Sequence, residues 1–86
     1  MEKHGDEIQF AIARSIAVLG ESRGGWKKEL NLVSWNGREP KLDIRDWDPT
    51  HQRMGKGLTF TREEAEVLCT ALGTYLSAEA GGSNQS

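Results

Sequence analysis

The segment KLDIRDWDP, Lys41–Pro49, alternates along its length. Leu42 and Ile44 fall on one side of an extended chain; Lys41, Asp43, Arg45 and Trp47 fall on the other. A period of two predicts a strand with one apolar and one polar face. An arginine followed by a tryptophan is a poor choice for a face that meets only water. It suits a face that holds a ligand.

The neighbouring segments have the same character. In WKKELNLVSW, residues 26–35, Leu30 and Leu32 share one face, with Asn31, Val33 and Trp35 on the other. NGREP, built on Asn36-Gly37, joins this strand to the next as a hairpin turn. Upstream, residues 8–20 carry Ile8, Phe10, Ile12, Ile16 and Val18 on one parity, and Arg14 interrupts them. That interruption predicts either a bulge near residues 13–15 or the end of the inward row there. GESRGG reads as a flexible turn, DPTHQRMGKG as a polar loop opened by Asp48-Pro49, and LTF as a short fourth strand.

A helix follows. Thr61 and Glu64 have the spacing of a capping box, and Ala65, Leu68, Leu72, Tyr75 and Leu76 form one stripe widened by Val67 and Ala71. After Leu76, SAEAGGSNQS has neither apolar period nor bulk. The chain is thus expected to be one domain over residues 1–76 with a disordered tail at 77–86. The fold class is α+β: a four-stranded antiparallel curved sheet, then one C-terminal helix packed on one face (ββββα). The other face is left free.

With 86 residues, 36% hydrophobic and 28% charged, the chain suits a small globular domain rather than a disordered one. Cys69 has no disulfide partner and no zinc-type spacing, and is expected to be a small buried hydrophobe in a reducing compartment. IQFAIARSIAVLG does not read as a secretory leader, because Asp6 and Glu7 precede it and Arg14 breaks it. No apolar run reaches membrane-spanning length. The expected location is cytoplasmic, at the nucleoid.

The net charge of −2 conceals an asymmetry. Residues 23–60 carry eight bases against five acids, whereas residues 1–22 and 61–86 are each net acidic. The basic middle coincides with the aromatic face. There, Lys27, Asn31 and Trp35 of the second strand lie beside Lys41, Arg45 and Trp47 of the third. Flat π-faces stack unpaired bases at roughly 1–3 kcal/mol each, and amines neutralise the phosphates between them. Trp26 shares parity with Leu30 and is expected in the core; Trp47 is expected exposed, and Trp35 fits either place. Lys56, between Gly55 and Gly57, is a further phosphate candidate.

Catalysis is not expected. Asp43, Asp46 and Asp48 do not share a strand face, and neither His4 nor His51 completes a metal site by spacing. No metal, cofactor, small-molecule substrate or membrane partner is implied.

WKKELNLVSWNGREPKLDIRDWDPTHQRMGKGLTFTREE resembles the bacterial YdbC-type branch of the transcriptional positive cofactor four family, from roughly Phe10 to Leu76. The shared core is DIRDWDP, then GKG and a capped helix at matching spacing. The resemblance implies a homodimer of ββββα protomers with helices in the interface, binding single-stranded DNA across the sheet faces. It implies contacts from Trp35, Arg38, Arg45, Trp47 and Lys56. Asn36 stands where the family has a basic residue, in a hairpin one residue longer, and the eukaryotic member's Ser-rich tail is absent. Two other readings stay open: single-stranded RNA as ligand, and a protein–protein adaptor using the same aromatics.

Overall fold

The computed structural model describes residues 8–85 of the chain; His4 lies outside them. Four strands, β1 (Phe10–Glu21), β2 (Lys27–Trp35), β3 (Lys41–Trp47) and β4 (Met54–Phe60), precede one helix, α1 (Arg62–Gln85). The strands form one antiparallel sheet in chain order, β1-β2-β3-β4. Short connections explain the meander. Asn36 and Gly37 both take positive φ (53° and 74°), and the Arg38 N–H donates to the Trp35 carbonyl at 3.0 Å. That is the hairpin geometry Asn-Gly favours. A 3-10 turn at Arg23–Gly25 joins β1 to β2.

β1 carries the expected bulge, a register shift between Ile12 and Arg14, and two more between Ser15 and Ala17 and between Val18 and Gly20. Each extra residue bends and twists the strand. β4 begins earlier than its sequence suggests. MGKG is not loop but strand, with Gly55 and Lys56 together opposite Asp46 in a further bulge between the Arg45–Gly57 and Trp47–Met54 pairs.

The register fixes two faces. On the leucine face, Leu30, Ile44 and Leu58 line up, as do Leu32, Leu42 and Phe60. On the tryptophan face lie Phe10 and Ile12, then Asn31, Val33 and Trp35, then Asp43, Arg45 and Trp47. The expectation that the tryptophan face meets solvent is overturned at its centre. Val33, Trp47 and Asp43 are completely buried and Asn31 nearly so. Phe10 packs on Trp47 with ring centroids 5.1 Å apart, and His51 lies on it at 5.7 Å. Bulged β1 on one side and the Asp48–Arg53 turn on the other supply this cover.

The helix also departs from expectation. Its capping box forms: the Thr61 N–H donates to Glu64 Oε1 at 2.8 Å, and the Glu64 N–H to Thr61 Oγ1 at 3.1 Å. Yet α1 scarcely touches the sheet and projects from it, giving extents of 63 × 32 × 18 Å. Val67, Leu68, Leu72, Tyr75 and Leu76 are exposed. So is Cys69, contrary to the expected burial. The helix continues past Leu76 to Gln85; Ala78, Glu79 and Ala80 are good helix formers, and no proline intervenes. Leu58 on the leucine face is likewise exposed. Helix stripe and leucine face are two apolar surfaces that do not cover each other within one chain.

Candidate nucleic-acid interface

Arg45 is the most heavily bonded side chain of the tryptophan face. Its Nε donates to Asp43 Oδ1 and its Nη2 to Asp43 Oδ2, both at 2.8 Å. Its Nη1 reaches the Gly55 carbonyl at 3.3 Å and the Met54 sulfur at 3.7 Å. Thr59 Oγ1 braces Asp43 Oδ2 at 3.1 Å. Four of the five guanidinium N–H groups are therefore engaged. The guanidinium lies over Trp35, 4.8 Å from the ring centroid, a cation–π stack. Gly57 makes room for this arrangement: a Cβ there would collide with Arg45 Cβ and the Ile44 carbonyl oxygen.

The predicted site residues fall into two groups. Lys27, Arg38, Lys41 and Lys56 are exposed. They ring the sheet, with Lys27 opposite Trp47, Lys41 opposite Val33, Arg38 in the hairpin and Lys56 at the β4 bulge. Asn31 and Trp47 are buried instead, while Trp35 and Arg45 are partly accessible. Trp26, expected in the core, is also only partly covered. The surface thus offers one aromatic and guanidinium platform, Trp35 with Arg45, inside a ring of cationic side chains.

Sequence reasoning missed Phe10, Glu29 and His51. His51 Nε2 lies 3.0 and 2.9 Å from the two Glu29 oxygens, although the residues are far apart in the chain. Nothing in the spacing predicts that meeting. The signal was Glu29 itself, a carboxylate on the parity of Val33 that needs a partner once buried. Asp48 folds the intervening turn. Its Oδ1 accepts the Gln52 and Arg53 N–H groups and its Oδ2 the Thr50 hydroxyl, all at 2.8 Å. The Arg53 N–H, followed by the Thr50 and Gln52 donors, holds the Asp48 carboxyl below its ordinary range.

The three aspartates of the segment thus serve separate ends, since Asp46 accepts from the Ser22 hydroxyl at 3.0 Å. Among the described residues no three His, Cys, Asp or Glu side chains converge on a metal position. Among them, too, no helix is long and apolar enough to cross a membrane.

The four-stranded meander followed by one capped helix carries Trp35 and Arg45 stacked among exposed Lys27, Arg38, Lys41 and Lys56. The family model described as Transcriptional Coactivator p15 (PC4) matches residues 22–71, more than half of the chain. The chain belongs to that family, a nucleic-acid-binding and non-enzymatic one. An uncharacterized protein of Treponema pallidum (strain Nichols) is 44% identical over 63 residues, which cover 73% of this chain and 74% of that protein. All eight predicted site residues, Lys27 to Lys56, lie inside the family match.

Proposed function

We propose that this chain binds single-stranded DNA as a homodimer, with little sequence readout, wherever strands separate in transcription, replication or repair. The observation that carries the reading is the Trp35–Arg45 platform, at 4.8 Å, set among exposed Lys27, Arg38, Lys41 and Lys56. A base that leaves its stack finds an aromatic and guanidinium surface, and its phosphates meet amines. A duplex offers no free base faces. In this reading Trp47 is a buried neighbour of Phe10, which also packs on Trp35, rather than a platform itself, and the protein works in the cytoplasm at the nucleoid.

Fluorescence titration tests it, using oligo-dT, a duplex of equal length and oligo-U. Oligo-dT should bind far more tightly than duplex and quench tryptophan. Equal affinity for oligo-dT and duplex would refute stacking and leave general electrostatics. Tighter binding of oligo-U would make RNA the ligand.

A further inference from the structure

Thr59 lies exposed on the edge strand β4, directly opposite Asp43 in the register. Its hydroxyl donates to Asp43 Oδ2 at 3.1 Å. That oxygen already accepts from Arg45 Nη2, while Oδ1 accepts from Nε, both at 2.8 Å. Two parallel bonds make carboxylate and guanidinium one flat unit. Neither bond ties that unit to a third group.

Other ties to the sheet are weak or point elsewhere. Asn31 stands opposite Asp43 on β2, yet its amide nitrogen donates to Glu29 Oε1 at 3.0 Å. Arg45 Nη1 meets the Gly55 carbonyl only at 3.3 Å and the Met54 sulfur at 3.7 Å. Among the described residues, Thr59 is the one side chain other than Arg45 that bonds the Asp43 carboxylate. Asp43 is completely buried, so water is a poor substitute for that hydroxyl.

We propose that Thr59 is a positioning residue for strand binding: its hydroxyl sets the Asp43 carboxylate, and through it the plane that Arg45 presents with Trp35. The assignment rests on the single-strand reading above. A free arginine side chain is rich in rotamers, and a base that stacks on it must first immobilise it. A guanidinium already held 4.8 Å from the Trp35 ring centroid has lost that freedom during folding. Thr59 itself need touch no nucleotide. Its loss should therefore weaken binding without altering how binding responds to salt. A threonine kept only as a β-branched strand former would act through its shape, which valine reproduces. The hydroxyl separates the two roles.

The test compares Thr59→Val, which keeps the shape, with Thr59→Ser, which keeps the donor. Oligo-dT binding is titrated at several salt concentrations, at a temperature where thermal melts show the variants folded, and the Arg45 Nε–H resonance is followed in the free proteins. Thr59→Val should bind roughly threefold to tenfold more weakly, the scale of one ordinary hydrogen bond. Its slope of log K against log salt should match the wild type, and its Arg45 Nε–H resonance should move or broaden. Thr59→Ser should restore both affinity and resonance. In the wild type, the Arg45 Nε–H should be as ordered without oligo-dT as with it, a readout that needs no variant to fold. Wild-type affinity or an unmoved resonance in Thr59→Val would overturn the proposal while leaving single-strand binding intact. So would a Thr59→Ser as weak as Thr59→Val, a changed salt slope, or an Arg45 that becomes ordered only on binding. Equal affinity of the wild type for oligo-dT and duplex would overturn the proposed function, and this role with it.

Discussion

Asp43 and Arg45 face each other across two hydrogen bonds of 2.8 Å, with Asp43 completely buried and the Arg45 side chain 14% exposed. An arginine so engaged is a fixed plane over Trp35, not a free phosphate clamp. Arg45→Ala would strand the Asp43 charge, and loss of one partner of a buried pair costs ~3–5 kcal/mol. The expected outcome is a clear drop in melting temperature. The salt dependence of binding by whatever remains folded should change little.

Trp47→Ala should behave as a core truncation, at ~3–5 kcal/mol. An exposed stacking platform would predict the opposite, normal melting with weakened binding. Thermal melts of the variant separate the two directly.

Lys56→Ala should leave melting nearly unchanged, because the side chain is exposed. On oligo-dT, the slope of log K against log salt should fall in magnitude by roughly 0.7 for each phosphate left without its cation. Lys41→Ala should do the same at the other end of the face. An unchanged slope in both variants would remove these lysines from the interface.

Asp48 makes a contribution to stability that depends on acid. Its carboxyl titrates below its ordinary value of 3.8 in the folded chain, chiefly through the Arg53 N–H. A depressed value means stabilisation that is complete above the ordinary value and lost as pH falls through the lower folded one. Melting temperature should decline below about pH 4, and Asp48→Asn should flatten that part of the curve.

The exposed stripe Val67, Leu68, Leu72, Tyr75 and Leu76 and the open leucine face predict self-association. Light scattering should give twice the 9.5 kDa chain mass. Leu72→Glu should yield monomer.

Parity made much of this legible. It placed Asn31, Trp35, Arg45 and Trp47 on one face and Leu30, Leu32, Leu42 and Ile44 on the other, as the register shows. What parity does not contain is which face gets covered. Trp47 is buried by Phe10 and His51, and neither packing follows from spacing within the strand. The capping box announced α1, and its apolar stripe announced a partner surface, but a stripe carries no mark of whether that surface belongs to the same chain. MGKG read as loop because two glycines weaken any strand signal. They are there for a bulge, and for the close passage of Gly57 past Arg45.

The meander has a kinetic consequence. Each strand pairs only with its neighbours in the chain, and each connection is short. Little loop entropy is lost before the strands pair, so relative contact order is low for a sheet and folding is correspondingly fast. The sheet should therefore form in a first-order step whose rate ignores protein concentration. In the proposed homodimer, covering α1 with a second chain is a bimolecular event, so dilution slows that step alone. A newly made chain would hold a folded sheet while its helix still waits for a companion.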